Sequence, residues 1–235
     1  MLFYILKTIL FLPLCLFVYP VRIIGRRNIP RKGRMILCPN HQTLNDPIII
    51  ALKIHRRRFN FMAKAPLFKY KFTNWFLRKL GAFPVHHGKN DIEAVKTTLK
   101  HLKNDRAMCI FPEGARLKTE DANDLKNGVV NFAFKTNSPI VPCVFVNKTN
   151  AFAFNTFIIG KPFNLSEMEE FKGRKLDKDL LNEASMYLKD QIHGLRNEFL
   201  AKKEAKRRKK VFARKVKIIE NHRISTYKKF KTVIQ

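Results

Sequence analysis

Short apolar runs separated by polar turns recur along the chain. The stretches "RMILC" (34–38), "RFNFMA" (58–63), "AMCIF" (107–111), "IVPCVFV" (140–146) and "NTFIIG" (155–160) have strand length and little polar content. Such runs predict strands buried on both faces of a sheet. Between them the apolar period becomes helical. Pro47 suits a first helical position and Asp46 its N-cap, opening the helix "PIIIALKIH". In "NDIEAVKTTLKHLK", Asn90 and Glu93 form a capping-box variant, and Ile92, Val95, Leu99 and Leu102 recur at helical spacing. "LKNGVVNFAFKT" reads as another helix start. Residues 176–199 carry the same period through Leu180, Ala184, Leu188, Ile192, Leu195 and Phe199. Strands alternating with helices predict an α/β domain.

Two segments depart from this pattern. In "PLFKYKFTNWFLRKL" (66–80), large apolar residues alternate with Lys69, Lys71, Arg78 and Lys79, as in a basic amphipathic helix at a membrane interface or an ordinary surface helix. The opening "MLFYILKTILFLPLCLFVYPVRIIGRR" is apolar but broken by Lys7 and Pro13. A spanning helix takes ~20 apolar residues, so the stretch is marginal as one. It has neither the basic start nor the small-residue cleavage site of a signal peptide. Residues 1–27 are expected to be a retained membrane-associating helical segment with Arg22, Arg26 and Arg27 at the headgroups; a buried core helix is the alternative.

Charge narrows the list of partners. The 235 residues include 47 Lys+Arg and 18 Asp+Glu, a formal net charge of +29. Such a surface favours anionic membrane lipids, an acidic carrier protein or nucleic acid. Cations dominate from Lys202, in "KKEAKRRKK", so a basic tail is expected over 201–235, after a main domain over 28–200. Cys15, Cys38, Cys109 and Cys143 are scattered, without the spacing of a zinc site, and read as buried thiols rather than disulfides.

Three places could carry chemistry. "NHQTLNDP" (40–47) sets His41 and Asp46 five residues apart in a turn between strand and helix. There the carboxylate can hold one ring nitrogen and leave the other free to take a proton. An aspartate before a proline is also an ordinary cap. "FPEGAR" (111–116) places Glu113, Gly114 and Arg116 just past a strand, where α/β sheets bind ligands; the glycine permits a tight turn and the arginine suits a phosphate. Lys64 ends another strand and could face the same crevice, or only solvent. Together, a base, a carboxylate and two cations suit a substrate with a hydroxyl and a phosphate.

Five motifs, "NHQTLNDP", "FMAKAPLF", "GAFPVHHGKND", "FPEGAR" and "PIVPC", occur in the order and approximate spacing of the 1-acylglycerol-3-phosphate acyltransferases. "GRRNIP" before them and "IIGKP" after them also resemble that family, so the likeness runs from about residue 20 to 165. It implies a single mixed-sheet glycerolipid acyltransferase domain flanked by helices. It implies transfer of a fatty acyl group from acyl-CoA or acyl carrier protein to the sn-2 hydroxyl of lysophosphatidic acid, at the cytoplasmic face of the cell membrane, with no metal or prosthetic cofactor. His41 then matches the family's base and Asp46 its orienting acid. Glu113, Gly114 and Arg116 match the glycerol-phosphate motif, and Lys64 a phosphate-holding lysine. Three departures bear on the acceptor: His86 and His87 stand where an arginine is usual, Ala115 and Leu117 replace common Thr and Ser, and Pro66 replaces an acidic residue. An acyltransferase for another lyso-lipid or for glycerol phosphate is the alternative. A non-enzymatic membrane- or nucleic-acid-binding protein is a third reading, although the basic residues form no recognised nucleic-acid motif.

Overall fold

The computed structural model describes residues 18–43, 45–54, 56–86, 91–112 and 127–233, with side chains through residue 212. The apolar stretch 1–17 lies outside the described residues. By compactness the chain forms two units, Met1–Leu195 and Arg196–Gln235. The second is helical throughout its described residues.

Among the described residues of the first unit, seven strands form one mixed sheet. They are β1 (Val21–Ile24), β2 (Met35–Pro39), β3 (Phe59–Lys64), β4 (Ala82–Val85), β5 (Ala107–Cys109), β6 (Ile140–Phe145) and β7 (Asn155–Ile159), in the order β1-β7-β6-β2-β5-β3-β4. Only the β6–β7 pairing is antiparallel, so β1 and β7 run against the other five. One rim of the sheet therefore collects the carboxyl ends of β2, β5, β6, β3 and β4.

The helices are α1 (Asp46–Lys53), α2 (Lys71–Lys79), α3 (Ile92–Lys103), α4 (Gly128–Thr136) and α5 (Lys178–Val233). Strand order decides their faces. From β2 to β3 to β4 the chain moves one way across the sheet; from β4 to β5 to β6 it moves back. Right-handed crossovers place α1 and α2 on one face and α3 and α4 on the other. Ile49 and Ile50 of α1 join Met35, Leu37, Phe59, Phe61, Val141 and Phe145 in one buried cluster. The alternate residues Ile36, Cys38, Met108, Ile140 and Val144 are buried too, with α3 packed on β5 and α4 on β2. Two-sided burial explains the continuous apolar runs. Burial also pushes the Cys109 and Cys143 thiols well above their ordinary pKa.

Several local expectations are corrected. Two short strands escape the sequence pattern. β1 is hidden by the apolar continuity of the stretch before it, and β4 by Pro84, which is tolerated because β4 is an edge strand. On α3 the N-cap is Asp91, not Asn90: its carboxylate accepts the Ala94 N–H at 2.9 Å and the His86 N–H at 2.6 Å. The face of α3 also differs in part: Leu102 is buried as expected, but the rest of the buried face is not the expected one. Ile92 is 62% exposed and Val95 is exposed, whereas Ala94, Thr98 and Leu102 are buried. Small residues let the helix approach the sheet, and the Thr98 hydroxyl is satisfied by the Ala94 carbonyl at 2.8 Å. Leu180, Ala184, Leu188 and Ile192 are buried at the expected spacing on α5. Among the described residues, no helix is long and apolar enough to cross a membrane.

Candidate active site

Crossovers leave β2 and β5 in opposite directions, and these two strands are neighbours. Their carboxyl ends are therefore a topological switch point, where open α/β sheets form ligand crevices. His41 follows β2, and Phe111 follows β5. The two rings pack with centroids 4.4 Å apart at an interplanar angle of 35°. This contact holds the imidazole from one side.

Asp46 holds it from the other. His41 Nδ1 lies 3.2 Å from Asp46 Oδ2. Asp46 is the first residue of α1, after an Asn45 cap whose side chain makes no capping bond, and is not itself the N-cap. Its side chain turns back into the loop. Oδ2 accepts the backbone N–H groups of Gln42 and Thr43, each at 2.7 Å. Oδ1 accepts the Thr43 hydroxyl at 2.7 Å and the Thr149 hydroxyl at 2.9 Å. With His41, five donors among the described residues converge on a side chain that is 0% exposed. Burial would raise the pKa of this carboxyl. The hydrogen bonds from His41, from the Thr43 amide and hydroxyl, and from the Gln42 amide prevail and hold it below the usual carboxylate value. An ionised carboxylate only accepts, so the proton of neutral His41 sits on Nδ1 and Nε2 keeps its lone pair. The His41 side chain is 17% exposed, open enough for a reactant to reach it.

Neighbouring strands fix the turn. Asn40 extends the β2–β6 ladder with its side chain: Oδ1 accepts the Phe145 N–H at 2.7 Å, and Nδ2 donates to the Phe145 carbonyl at 3.2 Å. Gln42 Nε2 donates to the same carbonyl at 3.1 Å. Asn45 Nδ2 donates to the Tyr19 hydroxyl at 2.8 Å, tying the start of α1 to the segment before β1.

The structure thus brings His41 and Asp46 into contact. Lys64 is the last residue of β3, exposed at the same rim but separated from β2 by β5. Glu113, Gly114, Arg116 and His87 lie outside the described residues. His86 follows β4 and is exposed. Sequence reasoning missed Thr149. Its segment "NKTN" carries no local signal, and only the return of the β6–β7 loop to α1 gives it a partner. Thr43 stood inside the quoted motif, where an Asx/ST-type turn was the available clue. Among the described residues, no cluster of three or more His, Cys, Asp or Glu could hold a metal ion.

Comparison with known proteins places the chain in a family. The Acyltransferase family model matches residues 20–146, more than half of the chain. The chain is 31% identical over 125 residues to the 1-acyl-sn-glycerol-3-phosphate acyltransferase of Bacillus subtilis, covering 53% of this chain and 62% of that one. The Streptococcus pneumoniae protein of the same name is 33% identical over 111 residues, 47% of this chain and 40% of that one. The Saccharomyces cerevisiae one is 27% identical over 179 residues, 73% and 58%. The chain thus spans between 40% and 62% of the length of these relatives. Its fold is similar to the crystal structure of the 1-acyl-sn-glycerophosphate acyltransferase PlsC from Thermotoga maritima, with TM-score 0.57 and 21% identity over 77% of this chain and 73% of that one. With the family model spanning the sheet from β1 through β6, this chain belongs to the acyltransferase family.

Proposed function

We propose that the protein transfers a fatty acyl group from an acyl thioester to the sn-2 hydroxyl of 1-acyl-glycerol-3-phosphate, giving phosphatidic acid. The observation that carries this reading is the His41–Asp46 pair at the switch point, with Nδ1 held at 3.2 Å and the other ring nitrogen available. The acceptor hydroxyl lies within ~3 Å of His41 Nε2. Its oxygen attacks the thioester carbonyl while Nε2 takes its proton. The tetrahedral intermediate collapses, the C–S bond breaks, and the thiolate leaves and recovers the proton from His41. Asp46 stabilises the imidazolium formed between the two transfers. No acyl-enzyme is required. Glu113, Gly114, Arg116 and Lys64 bind the glycerol phosphate in this proposal. The relatives' names support the acceptor. The thioester is carried by coenzyme A or by acyl carrier protein, and the reaction takes place at the cytoplasmic face of a membrane.

The test is release of free thiol from acyl-CoA and from acyl carrier protein, with and without lysophosphatidic acid. It uses membranes carrying the intact protein or His41→Ala. Acceptor-dependent release that falls by ~10²–10⁴ in the variant supports the proposal and names the donor. Folded, membrane-bound protein that releases nothing with either donor overturns it. A panel of other lyso-lipids then takes its place.

A further inference from the structure

Two groups of exposed aromatic and aliphatic side chains stand at the rim that carries the site. The first is on the loop from β6 to β7. Phe152 is 74% exposed and Phe154 91% exposed. This loop is not slack. Asn155, itself buried, donates to the carbonyls of Asn150 and Ala153 at 3.0 and 2.8 Å and accepts the Asn150 N–H at 3.1 Å. The Phe152 N–H donates to the Val18 carbonyl at 2.6 Å. Phe152 is held at φ 57°, a left-handed conformation that a bulky residue rarely adopts. A well-anchored loop thus spends backbone strain on presenting two phenyl rings to the outside.

The second group follows β3. Leu67 and Tyr70, in the segment leading from β3 to α2, and Phe72 and Trp75, on α2, are exposed. Phe72 lies over Phe76 with centroids 6.3 Å apart, making a continuous aromatic face. Single surface apolar residues need no explanation, but clusters on both sides of one crevice do. Exposed cations accompany them: Lys148 beside the first group, and Lys64, Lys69 and Lys71 around the second. Neither segment, 64–80 or 146–155, holds an acidic residue.

We infer that this rim docks on an anionic phospholipid bilayer, with Phe152 and Phe154 on one side of the site and Leu67, Tyr70, Phe72 and Trp75 on the other entering the interface. The assignment rests on the acyl-transfer reading, in which a membrane lipid must reach His41. Aromatic rings flanked by lysines and free of carboxylates match a negatively charged headgroup layer over an apolar one. Docking in this orientation opens the crevice toward the lipid that supplies the acceptor.

Trp75 is the chain's single tryptophan, so its fluorescence reports this face alone. The intact protein is mixed with vesicles of equal phosphatidylglycerol and phosphatidylcholine whose acyl chains are brominated near the headgroup. Docking blue-shifts Trp75 and quenches it, and pure phosphatidylcholine does so less. The Phe152→Ser/Phe154→Ser variant loses ~10-fold in turnover of vesicle-borne lysophosphatidic acid, while turnover of a short-chain, water-soluble acceptor stays within twofold. The inference is overturned if Trp75 is unquenched on vesicles that carry the protein down on centrifugation, or if an acidic carrier protein shifts Trp75 and vesicles do not. Native protein that turns over neither acceptor refutes the lysophosphatidic acid reading, and the quenching then decides docking independently.

Discussion

The Thr149 hydroxyl donates to Asp46 Oδ1 at 2.9 Å, across 103 residues of sequence. It is the bond that joins the β6–β7 loop to the start of α1. Both residues are buried, so the carboxylate oxygen has no water to replace a lost donor. Thr149→Val keeps the side-chain volume and removes the donor. Hydrogen bonds to buried charged groups are worth about 1.5–3 kcal/mol, and that much stability is expected to go. Thr149→Ser should restore most of it. Denaturant unfolding of the three proteins checks this, and equal midpoints would contradict it.

Asp46→Asn tests the orientation of His41. The amide presents N–H groups to a pocket built entirely of donors. Its Oδ1 can still accept one set, but the other set then meets N–H groups. The ring loses the charge that favours the Nδ1–H tautomer and stabilises the imidazolium. Turnover is expected to fall ~10³-fold or more, with substrate KM values little changed. A fall confined to KM would mean that Asp46 contributes binding instead.

The same carboxylate makes stability depend on pH. Its pKa in the folded protein is below the ordinary value of 3.8. Near and below that value the unfolded chain therefore binds more protons than the folded one, and stability rises with pH. The contribution is complete above the unfolded pKa and is lost as pH falls through the folded one. The gap in thermal midpoint between native protein and Asp46→Asn should hold steady above pH ~5 and narrow below pH ~4. A gap unchanged down to pH ~2 would show that ionised Asp46 adds nothing.

Gly81 and Gly33 separate steric conflict from backbone conformation. Both have left-handed φ, +91° and +80°. A Cβ on Gly81 would lie 2.2 Å from the Phe59 carbonyl oxygen, where the chain turns from α2 into β4, whereas one on Gly33 would meet nothing within 4 Å. Gly33→Ala should cost about 1 kcal/mol from conformation alone. Gly81→Ala should cost several times that or shift β4 away from β3. Similar unfolding free energies for the two variants would count against the close approach.

Much of the architecture can be read before any coordinates are known. β2, β5 and β6 are continuous apolar runs because both faces of the sheet are covered there, and burial on two sides leaves a one-dimensional trace. The meeting of His41 with Asp46 is legible for a related reason: five residues of turn between a strand and a helix leave the two side chains little room to part. β4 is not legible, since Pro84 looks like a strand breaker until the strand is known to lie at the sheet's edge. The buried face of α3 is legible only at Leu102. Ile92 and Val95 are the more apolar residues, but the gap beside β4 and β5 admits Ala94 and Thr98.

Read alone, the chain carries its apolar runs, the polar turn between two of them and the spacing of the motifs, which together point to an α/β domain and to an acyltransferase resemblance. These are local properties, set by which residues follow which. Tertiary structure decided that β2 and β5 lie side by side with crossovers leaving in opposite directions, which makes their ends a crevice. It also decided that Thr149 reaches Asp46, and that Phe152 and Phe154 stand on the rim that carries the site. Each of these depends on strand order, and strand order follows from the packing of helices over the whole sheet rather than from any one segment.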